Sequence, residues 1–126
     1  MRAVDTNVLV RLLVRDDSLQ VAAARSFVAP GAWVSHLVLA EATWVLGFTY
    51  GVQHKQLVGV LDVLLDDAEI SFQEPEVVRA ALEIFRGHPK LSFSDCLVLE
   101  IAKKAGHTPL GTFDRALAKQ PSAERL

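Results

Sequence analysis

The sequence predicts an α/β domain with a central parallel sheet flanked by helices. Short apolar runs alternate with longer segments in which apolar residues recur at helical spacing. Turn-forming residues such as Pro30-Gly31 and Gly87 separate these segments. Short strands that alternate with helices favour parallel pairing, which brings the C-terminal ends of the strands to one edge of the sheet, where ligands bind. The 126 residues suit a single domain spanning 1–126.

Each predicted element is supported by its apolar pattern or by the residues at its ends. Val8 and Leu12 recur at helical spacing in the first helix. Pro75 suits the first turn of a helix, and Ser94 is predicted to cap a helix that ends at Gly106. The predicted strands are short apolar runs at 1–4, 32–35, 69–72 and 109–113, and the predicted helices are at 7–14, 19–28, 37–50, 54–66, 75–86, 94–106 and, briefly, from Asp114.

Composition and charge limit the classes of function. The formal net charge is −2 at pH 7, which disfavours a sequence-independent nucleic-acid binder with a strongly basic surface, but not an enzyme that binds nucleic acid locally and through metal ions. The single cysteine, Cys96, excludes an internal disulfide, so we expect a reducing compartment. No apolar run is long enough to span a membrane, and we expect a cytoplasmic protein with no membrane partner.

Three aspartates lie where a predicted strand ends or a predicted helix begins. Asp5 follows the first strand, Asp95 lies at the start of a helix, and Asp114 follows the last strand. For each of them the structural alternative is a helix cap or a first-turn acid that complements the helix dipole. That alternative is weaker for Asp5, because Thr6 or Asn7 could cap the helix equally well.

Glu41 lies within an apolar stripe of its predicted helix. The apolar residues spaced so that they share its helical face are Leu37, Trp44, Val45 and Phe48. A carboxylate buried in such a stripe is unfavourable unless it is paired, protonated or bound to a metal ion. A buried ion pair is the structural alternative, but unpaired buried glutamate is rare, so we favour a functional role for Glu41.

The four acids are predicted to converge at one edge of the sheet. Glu41 stays near that edge because it lies only about a turn and a half into its helix. Like charges brought close together repel one another, and a divalent cation bound by the carboxylates would offset that repulsion. Oxygen ligands without cysteine or clustered histidine suit Mg²⁺ or Mn²⁺ rather than Zn²⁺. The polar neighbours at the same edge are Thr6, Asn7, Ser94 and Thr112.

The residues that form this predicted site resemble the PIN-domain family, and more closely its branch of VapC-like toxins. The resemblance covers essentially the whole chain and rests on VDTNVLVRLLV, VSHLVLAEATWVL, LSFSDCLVLEIAKKAG and LGTFDRAL. Cys96 departs from the small residue, such as alanine, that typically follows the third acid, and we interpret it as a packing residue. The resemblance implies a three-layer α/β/α fold and a metal-dependent endoribonuclease whose acidic quartet is Asp5, Glu41, Asp95 and Asp114, with Thr6, Asn7, Ser94 and Thr112 at accessory positions.

The resemblance also implies a biological role and partners. Members of this branch are usually toxins of type II toxin–antitoxin systems that cleave structured RNA such as tRNA or rRNA loops. A VapB-like antitoxin protein holds them inactive, and they often form homodimers. An apolar surface for either partner could come from Trp44, Phe48 and Tyr50 together with Leu57, Val58, Leu61 and Leu64, with core packing as the alternative for these residues.

Basic residues near the acids are candidates for contacts with RNA phosphates. Solvated surface charge is the alternative for each of them taken separately. The candidates are Arg11, Arg15, Arg86, Lys90 and Arg115.

Two other functions fit parts of the pattern. A non-catalytic scaffold of the same fold would act by protein interaction, but it would not need four mutually repelling acids. A receiver-like phosphoacceptor module also has acids at strand ends. It requires a lysine after the last strand, where this chain has Thr112-Phe113-Asp114.

Overall fold

Parallel strands and intervening helices make up the chain, which confirms the predicted α/β class and is consistent with the predicted three-layer arrangement. The structure is a computed structural model that describes residues 1–126. The chain divides into two units, Met1–Pro75 and Glu76–Leu126. None of the helices is both long and apolar enough to cross a membrane. The single domain spanning 1–126 stays a prediction.

The first unit is built on a three-stranded parallel sheet with the strand order β1-β2-β3. The central strand is β2, in which Ala32 and Val34 are completely buried. Its neighbours pair with it in parallel, so the chain leaves every strand at the same edge. The strands are β1 (Arg2–Ala3), β2 (Ala32–Val34) and β3 (Ile70–Phe72), and the helices are α1 (Thr6–Val14), α2 (Ser18–Val28), α3 (His36–Phe48) and α4 (His54–Asp66).

The second unit contains two helices and a two-stranded parallel sheet. Helix α5 (Pro75–Gly87) begins at the boundary between the units, and α6 (Phe93–Ala105) follows. Strand β4 (Leu110–Thr112) pairs with β5 (Ala123–Arg125) after a short 3-10 turn at Leu117–Lys119. Strand β5 was not expected from the sequence.

Side-chain caps fix where several helices begin. The Ser35 hydroxyl accepts the backbone N–H of Val38 at the start of α3. For α6 the predicted cap, Ser94, is wrong: the Ser92 hydroxyl accepts the backbone N–H of Asp95 at 3.0 Å. The helix begins earlier because Phe93 is buried within its first turn. Serine is a favoured cap at either position, so the buried aromatic residue decides between them.

The cores of both units consist of apolar helix faces and strand residues. In the first unit Leu9, Leu39 and Leu61 are almost completely buried, and in the second unit so are Leu97 and Leu99. The α4 residues that were candidates for a partner surface are buried and pack in the core instead. They are Leu57, Val58, Leu61 and Leu64.

Candidate active site

Asp5 caps α1. Its backbone is extended, with φ −92° and ψ 179°, and its Oδ1 accepts the backbone N–H of Val8 at 3.0 Å. The expectation that capping is the weaker account of Asp5, with Thr6 or Asn7 as the cap, is therefore wrong, because α1 begins at Thr6 and aspartate is among the best N-cap residues. The side chain is exposed and forms no ion pair, so Oδ2 remains accessible.

Thr6 connects the start of α1 to the second acid of the first unit. Its hydroxyl Oγ1 donates a hydrogen bond to Glu41 Oε2 at 3.0 Å. Glu41 forms no ion pair with lysine or arginine. The structure thus joins Glu41 to Thr6, the residue that follows Asp5 in the chain, and we refer to Asp5, Thr6 and Glu41 as the Asp5–Glu41 corner.

Glu41 is exposed, so the prediction that it lies within a buried apolar stripe is wrong. Three of the four apolar residues predicted on its face are exposed as well, by 68% for Leu37, 58% for Trp44 and 76% for Phe48. The fourth, Val45, is half-buried. The opposite face of α3, including Leu39 and Ala42, faces the core instead. Because α3 is apolar on nearly every side, spacing alone did not show which face was buried.

Asp95 and Asp114 lie in the second unit. Asp95 is half-buried in the first turn of α6, where a negative charge complements the helix dipole. Asp114 is exposed, and its Oδ1 accepts the backbone N–H of Leu117 at 2.8 Å. Its own backbone N–H donates to the Thr112 hydroxyl at 3.0 Å. Thr112 and Asp114 therefore form one hydrogen-bonded turn after β4, while Ser94 is half-buried beside Asp95.

A groove of about 390 Å³ lies between α1 and α2. Asp5, Asn7 and Arg11 line it from the α1 side, and Gln20 and Phe27 line it from the α2 side. Sequence reasoning placed Asn7 beside Asp5 but gave no role to Gln20 or Phe27. No sequence signal marks those two residues, because the groove arises from the packing of two helices.

Arg11 is held by an ion pair at the end of α1. Its guanidinium bonds Asp16 and approaches the Tyr50 hydroxyl at 3.5 Å. The hydrogen bond from Arg11 lowers the pKa of Asp16, and the same contact raises the pKa of Arg11. Arg11 lines the groove next to Asp5, but its charge is compensated within the protein.

The other candidate RNA contacts differ in whether an acidic side chain pairs with them. Arg86 forms an exposed pair with Glu83 at 3.5 Å. Arg15 adopts a left-handed conformation with φ 60° at the C-terminal end of α1. Lys90 and Arg115 are exposed and form no ion pair, so their charges are available to a ligand.

Two buried side chains of α6, Cys96 and Glu100, carry ionisable groups. Cys96 is completely buried, and desolvation, with smaller effects from the charges of Asp95 and Glu100, raises the pKa of its thiol to about 12. The thiol therefore stays protonated at neutral pH, in agreement with its interpretation as a packing residue. Glu100 is only 8% exposed, and Lys103 Nζ lies 3.0 Å from its Oε1.

The donor atoms of the Asp5–Glu41 corner suit a hard divalent cation. They are carboxylate and hydroxyl oxygens, they are accessible, and no lysine or arginine compensates the two negative charges. Asp95 and Asp114 provide further carboxylate oxygens within the second unit. Within neither unit are three or more His, Cys, Asp or Glu side chains grouped so that they could hold a metal ion.

The chain matches a known protein family. The family model described as the PIN domain matches residues 2–122, which is nearly the whole chain. No curated protein and no solved structure gives a match. PIN domains are typically nucleases, and they usually use divalent metal ions.

Proposed function

Because this chain belongs to the PIN domain family, we propose that it is a Mg²⁺- or Mn²⁺-dependent endoribonuclease that acts as the toxin of a toxin–antitoxin pair. The observation that carries the proposal is the Asp5–Glu41 corner. Two carboxylates without basic partners are fixed by a backbone N–H and a hydroxyl. Holding two like charges in place costs stability in the absence of a cation, and metal binding explains why the chain holds them.

We assign metal binding to Asp5, Glu41, Asp95 and Asp114. A bound divalent ion would lower the pKa of a water molecule and neutralise charge on the scissile phosphate. Within the first unit, the capping bond to Val8 fixes the Asp5 carboxylate so that Oδ2 stays available. Thr6 orients Glu41 by donating to Oε2, which leaves Oε1 available. The other accessory residues in this assignment are Asn7, Ser94 and Thr112.

The substrate we propose is structured RNA, such as a tRNA or rRNA loop, held by few local contacts because the formal net charge is −2. The strongest candidates for phosphate contacts are Arg15, Lys90 and Arg115, since no acid compensates their charges. Arg11 and Arg86 would have to exchange Asp16 and Glu83 for a phosphate group.

The partners we propose are an antitoxin protein of the VapB type and a second copy of this chain. The groove between α1 and α2 includes Asp5 and is lined mainly by apolar atoms. An antitoxin peptide lying in that groove would cover the Asp5 carboxylate and block access to it. The homodimer rests on the family resemblance, and light scattering of the purified protein tests it.

An RNA cleavage assay with Mg²⁺, with Mn²⁺ and with a chelator tests the proposed activity. We expect metal-dependent cleavage that leaves 5′-phosphate ends, and loss of cleavage in Glu41→Gln. Glu69→Gln is the matched control, because Glu69 is an exposed acid of the same unit whose side chain has no hydrogen bond. Products that carry only 2′,3′-cyclic phosphate would contradict the mechanism. Absence of cleavage with either metal would favour the non-catalytic scaffold.

A further inference from the structure

We propose that the exposed face of α3 binds an amphipathic helix of another protein, one that carries an arginine between apolar side chains. The face consists of Leu37, Glu41, Trp44 and Phe48, and we refer to it as the Glu41 face. The binding itself does not depend on ribonuclease activity. Its consequence, competition with a metal ion at Glu41, rests on the proposed function.

Three of the four side chains on the Glu41 face are large, apolar and open to solvent. Leu37 is 68% exposed, Trp44 58% and Phe48 76%. The rings of Trp44 and Phe48 are stacked, with their centroids 4.7 Å apart. All four residues recur at helical spacing, so they form one stripe about 16 Å long. A continuous exposed apolar stripe marks a binding surface, because covering it removes apolar area from water.

The Glu41 carboxylate within this stripe selects the charge of the partner. Its Oε2 accepts the Thr6 hydroxyl at 3.0 Å, and no lysine or arginine of this chain pairs with it. A partner that covers the stripe also covers this carboxylate, and a buried carboxylate without a cation is unfavourable. RNA would bring phosphate charges of the same sign. A basic side chain of a protein offsets the penalty, so charge complementarity favours a protein over RNA.

Arginine suits this position better than lysine does. Oε1 of Glu41 has no hydrogen-bond partner within the protein. Trp44 follows three residues later on α3, a spacing at which side chains on a helix are neighbours. A guanidinium that donates to Oε1 therefore lies next to an exposed indole. Arginine stacks on aromatic rings and is less strongly hydrated than lysine, so it binds such a site more favourably.

The partner segment is helical and does not come from α3 of a second copy. The backbone groups of α3 are hydrogen-bonded within the helix, so a segment buried against it has to satisfy its own backbone, as a helix does. Helix α3 carries no lysine or arginine. Two copies packed through α3 would therefore cover two Glu41 carboxylates and supply no basic side chain from either helix. The homodimer proposed above would use a different surface.

A library of helical peptides tests the chemistry of the partner. The probe is a displayed amphipathic helix in which the positions of one face are randomised. The library is depleted on the double variant Trp44→Ala, Phe48→Ala and then selected on the wild-type protein. Both residues are exposed, so alanine should leave the fold intact. We expect the selected peptides to carry arginine between apolar residues at helical spacing. Acidic or uncharged residues in place of the arginine, or no enrichment above background, would overturn the proposal.

Affinities of a synthetic peptide with the selected sequence provide the second measurement. We expect calorimetric titration to give a Kd at least about tenfold higher for Glu41→Gln than for the wild type. Glu69→Gln is the matched control, because Glu69 is an exposed acid of the same unit whose side chain has no hydrogen bond. Equal affinities of the two variants would contradict the role of the carboxylate. A peptide with lysine in place of the arginine should bind more weakly, and equal binding would overturn the choice of arginine.

Repeating the titration with Mn²⁺ separates this inference from the proposed function. We expect Mn²⁺ to weaken peptide binding competitively, because both ligands use the Glu41 carboxylate. If Mn²⁺ has no effect while peptide binding still depends on Glu41, the metal assignment of Glu41 is wrong and the docking surface stands. If the protein cleaves RNA with a metal ion but selects no arginine peptide, the docking surface is wrong and the ribonuclease stands.

Discussion

Two glutamates on different helices show opposite environments for a negative charge. Glu100 on α6 is nearly buried and is paired with Lys103. Glu41 on α3 is exposed, has no basic partner, and accepts one hydrogen bond from Thr6. A buried acid persists only with compensation, whereas an exposed acid that a hydroxyl holds in place remains available to a ligand. On this comparison we propose that Glu100 is structural and that Glu41 is functional.

The largest expected effect comes from Asp5, which both caps α1 and faces the proposed metal ion. Asp5→Asn should lower the cleavage rate by at least about a hundredfold without lowering stability, because asparagine caps a helix as well as aspartate does. Asp5→Ala should lose the same activity and also about 1 kcal/mol of stability. Initial rates and urea unfolding measure the two effects. A wild-type rate in Asp5→Asn would remove Asp5 from the site.

Removing the hydroxyl that orients Glu41 should have the next largest effect. Thr6→Val keeps the shape of the side chain but loses its hydrogen bond to Oε2. We expect activity and apparent Mg²⁺ affinity to fall by about tenfold to about a hundredfold, as for other partners of metal ligands, and Thr6→Ser to restore both. A Mg²⁺ titration of the cleavage rate provides the measurement, and an unchanged titration curve in Thr6→Val would show that Thr6 has only a structural role.

Glu100→Gln should change stability and leave activity unchanged. The substitution removes the charge that binds Lys103, a side chain that is itself 42% exposed. Because solvent can rehydrate that lysine, we expect a loss of only about 1 kcal/mol in the free energy of unfolding. Denaturant unfolding and the standard cleavage assay measure the two quantities. A large loss of cleavage with unchanged stability would reverse the assignment of the two glutamates.

The smallest expected effect concerns the exposed pair of Arg11 and Asp16. The pKa of Asp16 is lowered by its hydrogen bond from Arg11, so the pair stabilises the folded state above the unfolded-state pKa of aspartate. That contribution is lost as the pH falls through the folded-state pKa. Asp16→Asn should therefore melt slightly below the wild type at neutral pH, and the difference should vanish in acid. A difference that grows in acid would contradict this account.

Elements with a strong local pattern could be predicted from the sequence. The bounds of α4 agree with the prediction at 54–66, and α1 begins within one residue of its predicted start. Strand β5 could not be predicted, because Ala123-Glu124-Arg125 has no apolar alternation and forms through its pairing with β4.

The types of residue in the candidate site could be predicted from the sequence, but their exposure and their contacts could not. Asp5 and Glu41 were identified from their positions, yet the exposure of Glu41 depends on which face of an apolar helix packs on the core. The contact between Thr6 and Glu41 joins residues that are 35 positions apart, and no local pattern shows it. Environment is set by tertiary packing, which the spacing of residues does not specify.

Calorimetric titration of Mn²⁺ into the wild-type protein, Glu41→Gln and Glu100→Gln tests most directly the claim that the exposed, unpaired acid binds the metal ion. Both variants lose one negative charge, so a nonspecific electrostatic effect would weaken binding equally in the two. We expect Glu41→Gln to bind Mn²⁺ at least about tenfold more weakly and Glu100→Gln to bind it as the wild type does. Equal affinities in the two variants, or a larger loss in Glu100→Gln, would contradict the claim.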